Sequence, residues 1–164
     1  MANYCEYEMM VVSKKKESIE RLKSIMEYND KEFYIYRVQD IVVDEGPVEK
    51  DGLWMAKFSG YVAWSCTPWV SDKPDPNTKN RLGAYHTNLK ELCKKLDVAV
   101  EIWAEEEYSQ FQQYILIDNN GDVCAEDVEH WELEYDEDDY VIDEDGGFAE
   151  YGDFQLPSEI YKEN

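Results

Sequence analysis

From Leu53 to Ser65 the chain reads LWMAKFSGYVAWS, with Trp54, Ala56, Phe58, Gly60, Val62 and Trp64 alternating with Met55, Lys57, Ser59, Tyr61, Ala63 and Ser65. A side-chain period of two predicts a long strand with one strongly apolar face. Each Trp or Phe on that face can bury ~150–250 Å², so the main core is expected against it, with Trp54, Phe58, Val62 and Trp64 as core sites. Gly60 at mid-strand predicts either room for a bulky neighbour or a bulge.

The same alternation through Cys5, Tyr7, Met9 and Val11 predicts a first strand over Tyr4–Val12. Ser13 is placed to cap a helix over Lys15–Tyr28, in which Ile19, Leu22, Ile25 and Met26 recur at helical spacing. Glu32–Val43 reads as a second strand, and Asp44–Gly52, with Gly46-Pro47 and Asp51-Gly52, as the turn into the long third strand. Cys66–Gly83 carries Pro68, Pro74 and Pro76 and is expected as a long loop. Trp69 within it is either a lid over the core or an exposed contact residue. Thr87 is read as the cap of a second helix over Asn88–Leu96, and Leu89, Leu92, Cys93 and Leu96 form its apolar stripe. A fourth strand sets Val98, Val100, Ile102 and Ala104 on one face and Glu101, Trp103 and Glu105 on the other. Phe111–Asp118 and Val123–Tyr135, flanking Asn119-Asn120-Gly121, predict an added hairpin.

This β-α-β-β-α-β order predicts an α+β, ferredoxin-like core with an antiparallel sheet and both helices on one face. Residues 1–135 are expected to form that domain with its added C-terminal β-hairpin. Residues 136–164 form an acidic C-terminal extension, packed on or trailing the same domain and loosely held toward Pro157.

Charge changes the picture. The formal net charge is −22, with 38 acidic and 16 basic residues. Of that charge −7 falls on residues 1–125 and −15 on residues 126–164, where Lys162 is the only basic residue. Such a chain repels nucleic acid and anionic membranes and attracts basic protein surfaces. Neither a signal peptide nor a membrane helix is read from the sequence. Cys5, Cys66, Cys93 and Cys124 are scattered without a CxxC pair, so buried, inert thiols in a cytoplasmic protein are expected.

No set of three or four zinc ligands is visible: Cys124 and His130 are six apart and His86 stands alone. Asp118, Asn120 and Asp122 alternate as in a calcium loop, but Gly121 falls at position four, where a calcium loop needs it at six. Asp143 and Asp145 before Gly146 fit no better. Glu101, Glu105, Glu106 and Glu107 supply carboxylates near one strand, but their alternation suits a solvated face better than a glycosidase pair. No nucleophile triad and no phosphate loop appears. A non-catalytic protein without metal or cofactor is expected.

The acidic run is the main functional candidate. Glu132, Glu134, Asp136, Glu137, Asp138, Asp139, Asp143, Glu144 and Asp145 are interleaved with or followed by Trp131, Leu133, Tyr135, Tyr140, Val141, Ile142, Phe148 and Tyr151. A purely solvating tail has few aromatics, so partial order on the body is expected. Carboxylates at the strand rise of ~3.3 Å per residue approach the ~3.4 Å charge spacing along each DNA strand. A solvated face and weak cation binding are the competing readings.

MANYCEYEMMVV, GYVAWSCTPW and TNLKELCKKLDVAVEIWAEEE followed by FQQYILIDNNGDV resemble the YubB-like proteins of phages, plasmids and integrated bacterial elements. The resemblance covers roughly residues 1–135 and rests mostly on Ala63–Ser65 and Glu105–Glu107. It implies a ferredoxin-like fold without an iron–sulfur cluster, a mobile-element origin in a bacterial host cytoplasm, and no established function. Joined to the charge, it leads to the expectation of a non-catalytic inhibitor of a bacterial defence nuclease, a CRISPR effector or restriction enzyme. The inhibitor would act as an acidic nucleic-acid mimic in the partner's basic groove, without binding nucleic acid itself. The alternatives are a small acidic accessory module of a phage or plasmid and, more remotely, a carboxylate-based hydrolase. Trp69 in its loop is the second choice of contact.

Overall fold

The computed structural model describes residues 3–106, 110–131, 134–139, 141–143, 146–155 and 159–162. The chain order is β1 (Tyr4–Ser13), α1 (Lys16–Met26), β2 (Phe33–Tyr34), β3 (Val38–Lys50), β4 (Leu53–Ala63), α2 (Thr67–Ser71) and β5 (Asp75–Lys79). It continues with β6 (Tyr85–His86), α3 (Leu89–Leu96), β7 (Val98–Glu106), β8 (Phe111–Ile117), β9 (Val123–His130), β10 (Glu134–Tyr135) and β11 (Val141–Asp143).

Six strands form one sheet in the order β3-β4-β1-β7-β8-β9, with every neighbour antiparallel. Two small sheets, β2-β6-β5 and β10-β11, stand apart from it. The expectation of an α+β, ferredoxin-like class is therefore corrected: the protein is mostly β. Eleven strands face three helices among the described residues, and α2 has only five residues. Two physical causes shift the balance. The aromatic and β-branched hairpin β8-β9 pairs directly with β7, so it enlarges the main sheet. The Cys66–Gly83 stretch, expected as a loop, contains α2 and β5.

β1, α1, β4, α3 and β7 nonetheless fall close to where periodicity puts them. The expected Glu32–Val43 strand is instead split between β2 and β3, and most of the expected Asp44–Gly52 turn lies within β3. On β1 the side chains of Cys5, Tyr7, Met9 and Val11 are buried on one face. They meet Phe58 and Val62 of β4 and Val100 and Ile102 of β7 in one core, which Ile19, Leu22 and Ile25 of α1 and Leu89 and Leu92 of α3 complete. Trp54 packs partly buried at its margin. Gly60 lies opposite Tyr7, whose ring meets Trp69 edge-on at 5.0 Å, so the missing side chain leaves room on the core face. The cap of α3 is Asn88 instead of Thr87: its side chain accepts the Glu91 N–H at 2.8 Å.

Three expectations about burial are overturned. Trp64 leaves β4 with φ +74° and is 53% exposed, so it is not a core residue. The second face of β7 is not solvated, since every residue from Val98 to Ala104 is buried. The chain end is not loosely held where it is described. Tyr161 is buried with Val12 and Ala99, and the Lys162 N–H donates to Asn119 Oδ1 at 2.6 Å.

Candidate functional site

Alternation on β1 sends Glu6 and Glu8 to the face opposite the helices. Register then sets them in rows. Glu6 lies between Tyr61 of β4 and Glu105 of β7, and the row continues through Gln112 to Glu129 of β9. Glu8 lies between Ser59 and Trp103, and its row continues through Tyr114 to Asp127. With strands ~4.8 Å apart, the backbone ladder sets the spacing of the Cβ atoms from which these side chains project.

Residues 146–155 cross this face as a strap. The Phe148 N–H donates to Gln112 Oε1 at 2.7 Å, and Trp103 Nε1 donates to the Asp153 carbonyl at 3.1 Å. Phe148 and Tyr151 both meet the Trp103 ring edge-on, at 5.6 and 5.5 Å. Gly147, at φ +90°, lies so close to the Gln112 side chain that a Cβ there would collide with it. Further on, the Gln155 N–H donates to both oxygens of Glu101, which also accepts Tyr114 Oη–H at 3.2 Å. Burial raises the Glu101 pKa, and the bonds from Gln155 and Tyr114 work against that rise.

The strap leaves part of the face open. Between Tyr151 on the strap and Val42 and Tyr61 on the β3-β4 hairpin lies a groove of about 420 Å³, into which Glu6, Glu8 and Glu105 contribute. Tyr61 Oη–H donates to Glu6 Oε1 at 3.2 Å, and Gln112 Nε2–H donates to Glu105 Oε1 at 3.1 Å. Lys57 Nζ is 3.1 Å from Glu8 Oε1 and lies 5.9 Å from the Phe154 ring centre. The Tyr151 hydroxyl is held protonated far above its usual range, first by burial and then by the charges of Glu105, Glu8 and Glu6 among its neighbours. Three carboxylates between two tyrosines, with Glu8 already paired to Lys57, leave Glu6 and Glu105 as the groove's acidic groups without an ion pair among the described residues.

The residues singled out from sequence are distributed differently. Asp136, Glu137, Asp138 and Asp139 are exposed, but on a turn between β10 and β11 and not at strand spacing. Asp136 Oδ1 accepts the Asp138 N–H at 2.9 Å, and Asp139 has φ +64°. Glu134 and Asp143 pair across β10-β11, with only their backbone described. Glu132, Glu144 and Asp145 lie outside the described residues. Trp69 is 1% exposed and its Nε1 donates to the Tyr36 carbonyl at 2.9 Å, so it is a core lid and offers no contact surface. His86 is buried, stacked on Tyr36 at 3.9 Å, with Nε2 3.5 Å from Asp72 Oδ2.

Glu6, Glu8, Tyr61 and Tyr151 were not among the residues selected from sequence. The signal for the first two was present in the Glu-x-Glu alternation of the first strand. Tyr151 was legible only as one of the aromatics that argue for order on the body; the strap's path is what sets it beside the glutamates.

Among the described residues no group of three or more His, Cys, Asp and Glu side chains is placed to hold a metal ion. No helix is long and apolar enough to cross a membrane. In comparisons with known proteins, the chain matches no family model, no curated protein and no solved structure.

Proposed function

We propose that this protein is a non-catalytic binding module whose acidic face occupies the basic groove of a nucleic-acid-binding host protein. A bacterial defence nuclease, either a CRISPR effector or a restriction enzyme, is the partner favoured by the resemblance to mobile-element proteins. The observation that carries the reading is the groove in which Glu6, Glu8 and Glu105 are held by the β4-β1-β7 ladder between Tyr61 and Tyr151. Hydrogen bonds from Tyr61 to Glu6 and from Gln112 to Glu105 hold these two carboxylates in place, which lowers the ordering cost of meeting Lys or Arg. The net charge of −22 adds long-range attraction to a basic channel and repels nucleic acid itself. The exposed turn Asp136–Asp139 supplies four further carboxylates.

The test is capture of partners from a bacterial lysate at low salt, followed by competition between this protein and a labelled duplex for the purified target. Mutual exclusion supports mimicry. Association should weaken steeply as salt rises through ~0.1–0.2 M, where the Debye length is ~8–10 Å. Glu6→Lys, Glu8→Lys and Glu105→Lys together should abolish competition, as should reversal of Asp136, Glu137, Asp138 and Asp139 to Lys. Simultaneous binding of target, duplex and protein overturns mimicry and favours an accessory module. Full inhibition by both charge-reversed variants overturns the acidic face as the contact.

A further inference from the structure

On the helix side of the sheet, a hollow of about 470 Å³ opens between α3, β2 and the link from α2 to β5. That volume falls within the ~300–1,000 Å³ of small-molecule sites. Phe33, Pro74 and Leu92 give it an apolar lining, and Lys94 and Lys95 line it from the same stretch of α3 as Leu92. Lys95 Nζ rests 4.5 Å from the centre of the Phe33 ring. Among the described residues neither lysine has an ion pair, although Glu91 precedes Lys95 at the helical spacing that favours one. The Arg21 guanidinium, 5.8 Å from the same ring, is already engaged by Asp30 and Glu32.

Thr87 adds an unmet polar group. It lines the hollow, is only 5% exposed, and its N–H donates to the Tyr34 carbonyl at 3.0 Å. Its hydroxyl has no hydrogen-bond partner among the described residues. The sealed polar side-chain atoms left unpaired there are His86 Nε2 and Trp131 Nε1, so the Thr87 hydroxyl is open to the hollow that its residue lines. A buried hydroxyl without a partner is costly, and a ligand acceptor would satisfy it.

We infer that this hollow binds a small amphipathic monocarboxylate. Its apolar body packs on Phe33, Pro74 and Leu92, and its carboxylate accepts from the Thr87 hydroxyl and from the Lys94 or Lys95 ammonium group. A neutral apolar ligand would leave the hydroxyl unpaired, and a bare ion would leave the apolar lining wet. Glu91, exposed in the same lining, favours a ligand with one negative charge over one with two. The site is separate from the acidic groove and does not depend on the function proposed for it.

The test is titration of the full-length protein at neutral pH and constant ionic strength with phenylacetate, followed through the backbone amide resonances of Thr87 and Leu92. Phenethyl alcohol supplies the ring without the charge, and sodium acetate the charge without the ring. Saturable shifts with phenylacetate are expected, with both controls weaker by about tenfold or more. Thr87→Val should weaken phenylacetate binding by about tenfold, the loss of a hydrogen bond to a charged group. The thermal midpoint of the free variant should not fall, because the hydroxyl removed had no partner. Lys94→Gln with Lys95→Gln should weaken binding by a similar factor. The inference is overturned if phenylacetate does not saturate at millimolar concentration, or if phenethyl alcohol binds as tightly. It is also overturned if acetate shifts the same amides equally, which would mean an adventitious ion only, or if Thr87→Val binds like the parent. Should Thr87→Val fail to fold, the double lysine variant decides, and unchanged binding there overturns the inference.

Discussion

The backbone N–H of Gln155 donates to the buried carboxylate of Glu101, 54 residues earlier in the chain, at 2.7 Å to Oε2. This bond closes the strap over β7. It accounts for a glutamate buried on the sheet with no basic side chain among its hydrogen-bond donors in the described residues: the Gln155 N–H and the Tyr114 hydroxyl satisfy it.

Glu101→Ala should therefore loosen the strap before it loosens the sheet. The Gln155 N–H and the Tyr114 hydroxyl lose their acceptor, at about 0.5–1.5 kcal/mol for each hydrogen bond removed. Limited proteolysis should cut near residues 146–155 in the variant under conditions that leave the parent intact.

Glu101 also sets a pH dependence. Its folded pKa lies above the ordinary 4.5, because burial disfavours the charge. The protonated form is thus the one folding favours, and its contribution is complete below 4.5 and declines as pH rises through the raised value. Glu101→Gln should flatten that decline in a series of thermal midpoints, while the parent loses stability across the same interval.

A second titration appears in alkali. Tyr161 is pushed up to about 12, by burial and then by its bond to Asp97. An acid whose folded pKa exceeds its unfolded value stabilises the fold below the unfolded value, here 10, and loses that contribution as pH rises toward 12. Tyr161→Phe should remove this part of the alkaline loss. It should also weaken the hold on the chain end at neutral pH, by about 1.5–3 kcal/mol for a bond to a charged group.

Two tryptophans expected in or over the core should behave oppositely. Trp69→Ala empties a site that is 1% exposed and packed on Tyr7, and should cost about 3–5 kcal/mol in denaturant unfolding, as should Phe58→Ala. Trp64→Ala, at 53% exposure, should stay within about 0.5 kcal/mol.

Thiol reactivity should sort the four cysteines. Cys5, Cys66 and Cys93 are buried, and burial raises all three, Cys5 to about 12. Cys124 is exposed on β9. A colorimetric thiol reagent should modify Cys124 alone in the folded protein and all four in denaturant. A second fast thiol without denaturant would contradict the packing around β1 and α3.

The sequence by itself determined the local elements. Period-two runs located β1, β4 and β7, and the Ile19–Met26 and Leu89–Leu96 stripes located α1 and α3, because alternation and helical spacing are properties of neighbouring residues. It determined the net charge and its bias toward the chain end as well. Tertiary structure alone decided the class, since β8-β9 joins the main sheet through backbone bonds that side-chain pattern does not specify. It also decided which face of β7 meets water. Glu101, Trp103 and Glu105 alternate as a solvated face would, and what covers Glu101 and Trp103 is a strap some fifty residues away in sequence. Periodicity reports the side of a strand on which a residue lies; what packs against that side depends on contacts between distant parts of the chain. For the same reason the acidic groove was half legible: Glu6, Glu8 and Glu105 alternate in plain view, and only the path of the strap sets Tyr151 beside them.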